Sequence, residues 1–333
     1  MSGPLPGLGA APRATLVMYH YVRRLTAGRF PRLTSLDLDA FRGQLAYIAK
    51  HYSPVSLADI VSAAHGRSEL PPRPIVLTFD DGYAEHYRDV LPLLRTSGVA
   101  GAFFPAASSL IERRILDVNK IQFVLAAADT PLALVQSIED VVEREAGRPD
   151  VKPLAAYRAD GWKPVRYDSP AASYVKYMLQ GALPDDLRTN VLDALFAKFV
   201  SADERAFADE LYFTSDQARE IAEAGMTVGC HADRHITLTS MSRDGQAREI
   251  DGAMRVLDAI GLPRSPFVFS YAKGAHNAHS VALLRERGCV LGVTNRPSIA
   301  TVAPDTVLTL PRLDANHLPA DGLAPPNEWT LRA

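Results

Sequence analysis

Apolar positions along the chain follow two periods that take turns. Short continuous apolar runs, at Ala14 to Val22, Ile75 to Phe79, Ala100 to Pro105, Met226 to Cys230, Pro266 to Tyr271, Val290 to Thr294 and Val307 to Leu310, have the length and the β-branched or aromatic content of buried strands. Between them, apolar residues recur at helical spacing over Leu38 to Tyr47, Tyr87 to Ser97, Ser215 to Ala224, Arg243 to Ile260 and His279 to Arg287. Gly98, Gly225, Gly261 and Gly288 stand where the last four of these helices should stop, as expected of left-handed C-terminal caps. Regular strand–helix alternation of this kind predicts an α/β fold with a parallel sheet and outer helices, closed or nearly closed into a distorted (β/α) barrel.

One stretch breaks the alternation. From about Ser108 to about Phe213 the pattern is helical, as in Thr130 to Glu145 and Asp185 to Phe199, with Pro- and Gly-containing joints. The expectation is a single domain over 1–333 with a helical insertion over 108–213. That insertion leaves after one barrel strand and returns before another, so it is expected over the C-terminal ends of the strands, where barrel active sites lie.

Two of the strand runs end in chemistry. Ile75 to Phe79 stops abruptly at Asp80-Asp81-Gly82, and adjacent carboxylates in a low-dielectric cleft repel unless one holds a proton or a cation. Met226 to Cys230 stops at His231-Ala232-Asp233-Arg234-His235, two histidines four positions apart. One Asp with two His leaves coordination positions open for water and substrate, the ligand set of a hydrolytic metal centre and not of a closed structural one.

Composition narrows the class. With 333 residues, 47% of them hydrophobic, the chain can bury a sizeable core, and a formal net charge of -2 with scattered Lys and Arg gives no reason to expect a nucleic-acid partner. The two cysteines, Cys230 and Cys289, do not make a disulfide framework. No apolar stretch reaches the roughly 18 residues needed to span a bilayer, and the Pro- and Gly-broken start Met1 to Gly9 does not read as a signal peptide. On these grounds the protein is expected to be soluble and cytoplasmic.

Thr78-Phe79-Asp80-Asp81-Gly82, followed at long range by the His231…His235 pair, resembles the two main motifs of the polysaccharide deacetylase family, also known as the NodB-homology or carbohydrate esterase 4 family. The resemblance covers residues 14–105 and 215–318, roughly. It implies a distorted barrel of the NodB type and a divalent metal held by Asp81, His231 and His235, with zinc as the default and cobalt, nickel or manganese as alternatives. Asp80 is the implied general base. The substrate implied is an N- or O-acetylated carbohydrate, as an intermediate of surface-polysaccharide biosynthesis.

Two departures stand out. The family's third motif places an Arg two residues before a Pro to orient the base, whereas Ser270 and Ala272 occupy those positions here; the small hydroxyl residue after the first ligand His is replaced by Ala232. The last motif brings a histidine as general acid, for which His317 in Leu310 to Leu318 is the candidate. His20, Tyr271, Arg312 and Asp314 are expected to serve the substrate side of the site, with Arg312 and Asp314 orienting either His317 or Asp80. Two other readings stay open at this point: a hydrolase of non-sugar amides on the same barrel, and a non-catalytic carbohydrate-binding relative suggested by the missing Arg.

Overall fold

In the computed structural model, which describes residues 11–24, 29–165 and 168–333, the apolar runs become β1 (Arg13–Tyr19), β2 (Pro74–Asp81), β3 (Gly101–Pro105), β4 (Thr227–Val228), β5 (Phe267–Ser270) and β6 (Cys289–Val293), followed by a last strand, β7 (Leu313–Asp314). The helices are α1 (Leu38–His51), α2 (Leu91–Ser97), α3 (Ser215–Glu223), α4 (Arg243–Ala253), α5 (Arg255–Ile260) and α6 (Ala278–Glu286). Strands β1 to β4 pair in parallel, in that order. A single parallel bridge, Cys230 to Phe269, carries the sheet on to β5, which pairs with β6. A second, Val293 to Leu310, reaches the last stave, and β7 returns to β1 through Val17 opposite Leu313. The ring is therefore closed, but by single bridges at two of its seams.

Backbone sterics set the ends of the elements. Asp37 caps α1 by accepting from the Asp39 amide, and Thr214 and Gln217 form a reciprocal capping box at α3. Gly98 and Gly261 end α2 and α5 with φ of 64° and 75°, a conformation that glycine adopts without a Cβ penalty.

Two sequence expectations need correction. Val307 to Leu310 is not a strand: Val307–Thr309 is a short 3-10 turn, and the stave begins with the Leu310 bridge and continues into β7. An apolar run of four residues carries no period of its own, and here the pairing falls on its C-terminal end. The helix expected over Arg243 to Ile260 is broken at Met254 into α4 and α5, and at the break Arg255 turns to Asp233 (2.6 Å) and Glu112 (2.8 Å).

Side chains of β1, β2 and β3 alternate between two buried clusters, whereas β5 and β6 contribute to the first alone. Leu16, Val76, Ala102, Phe104, Phe269 and Leu291 fall in one, and Val17, Tyr19, Leu77, Phe79, Phe103 and Val228 in the other, together with helix residues such as Phe41 and Ile221. Thr78 and Asp80 continue the Val76 face of β2, so strand periodicity by itself carries a carboxylate into the interior.

Contacts divide the chain into two compact units: the described residues of Met1–Arg24, Ser35–Arg113 and Asp209–Ala333, which hold the barrel, and those of Leu25–Thr34 and Arg114–Ala208. The second unit is helical, with Asp117–Ala127, Pro131–Arg144 and Asp185–Phe199 as its longer members. Within it, Lys120 is 4% exposed, and its charge is met by Asp193 and Glu204, each at 2.7 Å. Phe123 and Phe196 pack edge-on against Phe207.

Gly229 shows how tightly the barrel is filled beside the candidate site. Its amide donates to Phe103 O at 2.8 Å, and a Cβ there would lie 2.6 Å from Val268 Cγ2 and 2.7 Å from Phe104 Cε1. Gly229→Ala should therefore destabilise the protein by about 1–3 kcal/mol, the usual cost of overpacking, read as a lower urea midpoint with unchanged slope. An unchanged midpoint would mean that the seam yields at no cost.

Candidate metal centre

Strand β2 delivers two carboxylates to the same end of the barrel, and the chain treats them differently. Asp80 is 1% exposed, and Arg312 grips both of its oxygens, Nη1 to Oδ1 at 2.9 Å and Nη2 to Oδ2 at 2.7 Å. The same guanidinium donates from Nη1 to Thr78 Oγ1, from Nη2 to Ser270 Oγ and from Nε to the Thr294 carbonyl. All five N–H donors of a fully buried arginine are thus used. Burial pushes the Asp80 carboxyl upward, but Arg312 and then His231 outweigh it and bring it down to about 2.

Asp81 has φ of 70°, in the left-handed region, and Gly82 follows at 76°. This sharp turn ends β2 at Asp81. Its Oδ2 accepts from the Tyr83 hydroxyl at 2.5 Å. Oδ1 is buried, accepts no hydrogen bond among the described residues, and faces His231 Nε2 at 3.5 Å and His235 Nε2 at 3.7 Å.

His231 donates from Nδ1 to the Ser270 carbonyl at 2.9 Å, which leaves the lone pair of Nε2 pointing toward Asp81. A lone pair and a carboxylate oxygen repel at that range unless a cation lies between them. Ligand atoms around one tetrahedral zinc-sized ion sit roughly 3.3 Å apart, and those of Asp81, His231 and His235 all lie within 4.8 Å of one another. The residues present therefore fit a divalent cation. Burial opposes the charge on Asp81, but His231, His235 and His20 together hold its carboxyl well below the usual range. Burial lowers both imidazoles; Asp80 and Asp81 overcome this at His231 and raise it, whereas the neighbouring His231 adds to it at His235, which falls to about 4.

The His231–His235 loop is held from several sides. Ala232 and His235 are left-handed, with φ of 61° and 59°. Buried Glu249 on α4 accepts from the Arg234 amide at 2.7 Å and the Ile236 amide at 3.4 Å, one on each side of His235. The Ala232 and Asp233 carbonyls take amides from Ala107 and Ser108, and the Asp233 carboxylate takes Arg255. Tyr83 and Glu249 were not singled out from sequence; a tyrosine two residues past the second carboxylate was the available signal for the first.

Of the expected substrate-side residues, Arg312 stands at the carboxylate pair, whereas Tyr271 and Asp314 are engaged in local structure. Tyr271 is 1% exposed, packs on Phe269, and donates its hydroxyl to the Leu308 carbonyl, so it is a core residue. Arg312 is spent on Asp80 and its neighbours, which supplies what the altered third motif lacks. Asp314 caps the turn Ala315–His317 through the Asn316 amide, and His317 Nδ1 accepts the Asp314 amide while its ring lies edge-on to Trp329 at 5.3 Å. The strand pattern did not show this because the interactions are those of a local capping box. His20, half-buried, follows β1, and its imidazole makes no hydrogen bond among the described residues. Its charge lowers the carboxyls of both Asp80 and Asp81. Cys230 is fully buried in the core.

An irregular parallel barrel with an Asp-His-His cluster beside a second, arginine-held carboxylate is an arrangement whose residues fit a divalent cation. The family model described as polysaccharide deacetylase matches residues 67–145 and 186–291, more than half of the chain, and the protein belongs to that family. Over 78 residues, 23% of this chain, it is 38% identical to the poly-beta-1,6-N-acetyl-D-glucosamine N-deacetylase of Escherichia coli (strain K12); the match spans 12% of that protein's length. Solved structures share the fold at low identity. The Streptococcus pyogenes deacetylase PplD in complex with acetate is 15% identical with a TM-score of 0.56, over 91% of this chain and 92% of that one. A de-N-acetylase from Aggregatibacter actinomycetemcomitans is 16% identical with a TM-score of 0.55, over 96% and 99%. IcaB from Ammonifex degensii is 17% identical with a TM-score of 0.53, over 92% of each chain. Among the described residues, no helix is long and apolar enough to cross a membrane.

Arg312→Ala should cost about 3–5 kcal/mol, because it leaves Asp80 buried and unpaired; a loss under 1 kcal/mol in urea unfolding would overturn that account. The acid response should change as well. The folded-state value of Asp80 lies below the ordinary 3.8, so its ionisation stabilises the wild type fully above 3.8, and that contribution is lost as pH falls toward about 2. Without the guanidinium, burial pushes the carboxyl up, so protonating Asp80 favours the folded variant, and Arg312→Ala should lose less stability than the wild type as pH falls from 3.8 toward about 2.

Proposed function

We propose that this protein is a metal-dependent deacetylase that hydrolyses the acetyl group of an N-acetylated sugar within a surface polysaccharide or its precursor. The observation that carries the reading is the buried, unpartnered Oδ1 of Asp81 facing two imidazole nitrogens, one residue from an ionised carboxylate locked by Arg312. Family membership supports the reaction class, and the Escherichia coli relative, named for a β-1,6-linked N-acetylglucosamine polymer, makes that linkage the first substrate to try. Asp81, His231 and His235 would hold the ion, with zinc the natural choice for this donor set.

When bound, such an ion supplies an acidified water and a Lewis acid for the acetyl carbonyl. Asp80 is ionised at any working pH and keeps lone pairs beyond those used by Arg312. As water adds to the acetyl carbon, Asp80 takes its proton. Breaking the C–N bond then needs a proton on the departing sugar nitrogen. We assign that role to His20, whose imidazole is unengaged and close enough for its charge to be felt by Asp80, Asp81 and His235. His317, tied to the Asp314 amide, is not carried forward. The products are acetate and the free amine.

The grip of Arg312 on Asp80 supplies the base-orienting group whose apparent loss had favoured a non-catalytic relative, so the catalytic reading is preferred. Acetate release from β-1,6-linked N-acetylglucosamine oligomers should require added zinc after chelation. Asp81→Ala should lose bound metal by elemental analysis, whereas Asp80→Asn should keep it and lose turnover by about 10²-fold or more. Chelator-stripped, metal-free enzyme with full activity would end the metal mechanism, and an active Asp80→Asn would send the search for the base elsewhere.

A further inference from the structure

The turn after the carboxylate pair carries a histidine that the chemistry above does not use. His86 is 0% exposed and opens a π-helical turn, His86–Val90, ahead of α2. Such turns displace side chains from their α-helical directions and recur at functional sites. Aromatic rings surround its imidazole: Phe79 and Tyr83 with centroids at 5.4 Å and Phe103 at 6.1 Å. Its Nδ1 is buried and has no hydrogen-bond partner among the described residues. Among the described residues, the imidazole's one hydrogen bond goes from Nε2 to the backbone carbonyl of His20, at 2.7 Å. In an aromatic cage a leucine or phenylalanine would pack without stranding a polar nitrogen, and a buried unsatisfied group of that kind calls for an explanation.

The rest of the segment points the same way. Tyr21 stacks on Tyr83 with ring centroids 4.0 Å apart, and Arg23 pairs with Glu85 at 2.6 Å. Residues 20, 21 and 23 are therefore latched in turn to 86, 83 and 85, and Tyr83 is also the donor to Asp81. The chain around His20 is tied to the same short segment that steadies a metal ligand.

We infer that His86 is a positioning residue for His20: by holding the His20 carbonyl, it aims an otherwise untethered imidazole at the departing nitrogen. This rests on the acid role proposed for His20. Burial, the first of the effects on it, pushes the His86 imidazole down to about 4, so it stays neutral with its single proton on Nε2.

The test compares two substrates on the zinc-loaded full chain. An N-acetylglucosamine oligomer needs its leaving nitrogen protonated, and p-nitrophenyl acetate, whose leaving group departs as a stable anion, does not. His86→Leu should lower oligomer turnover by about 10- to 10²-fold, the scale of loss expected from misplacing a catalytic group by about an ångström. Zinc affinity in chelator competition, KM and p-nitrophenyl acetate turnover should stay near wild type. His86→Gln, which keeps a donor for the His20 carbonyl, should recover most of the loss. If His86→Leu does not fold, His86→Phe, suited to the aromatic cage, carries the same comparison. Equal loss on both substrates, or wild-type oligomer turnover, overturns the inference. His20→Gln separates the two layers: selective oligomer loss there without one in His86→Leu removes only the positioning role, and wild-type oligomer turnover in His20→Gln removes the acid assignment and this inference with it.

Discussion

Two carboxylates on adjacent residues, both buried, set the terms for everything around them. Neither could stay ionised in that interior without a positive partner, and the two need partners of different kinds. Asp80 receives a permanent one, the guanidinium of Arg312, whose geometry matches both carboxylate oxygens. Asp81 is left with two imidazoles, groups able to bind either a proton or a metal ion. The division of labour proposed for the two, base and ligand, follows from this difference in counter-charge.

The arginine also compensates for a weakness in the fold. Two seams of the barrel are closed by single backbone bridges, Cys230 to Phe269 and Val293 to Leu310. From the last stave, Arg312 reaches Thr78 and Asp80 on β2, Ser270 at the end of β5 and the Thr294 carbonyl just past β6. Side-chain bonds thus lace the staves together where the backbone ladder is thin. The same bonds fix the Ser270 end, whose carbonyl sets the tautomer of His231.

Much of this was legible in the residues. The apolar runs ending in Asp80-Asp81 and in His231…His235 gave the strands and the cluster of Asp81, His231 and His235 that could hold a cation, because period-2 burial and ligand clustering are local patterns. What stayed hidden depended on distance in the sequence or on rotamer. Arg312 was noticed, but strand patterning does not say which of several charges a buried arginine will meet across a barrel. Tyr271 read as a site residue because it follows a strand in the altered third motif, yet its hydroxyl goes to Leu308. His317 looked like an acid until the Asp314 capping box took its Nδ1. His86 gave no signal, since π-turns leave no simple trace in hydrophobic spacing.

Arg312 lies 232 residues beyond Asp80. As the polypeptide leaves the ribosome, the carboxylate pair emerges long before the one side chain that neutralises Asp80, and β2 must wait for that partner with an unmet charge. Helices and the early parallel strands can collapse meanwhile, but the interior polar layer cannot close until the final stave docks. A nascent chain thus carries Asp81, His231 and His235 before it carries Arg312, and the bonds that hold Asp80 and the Ser270 end form only when the ring of strands is complete.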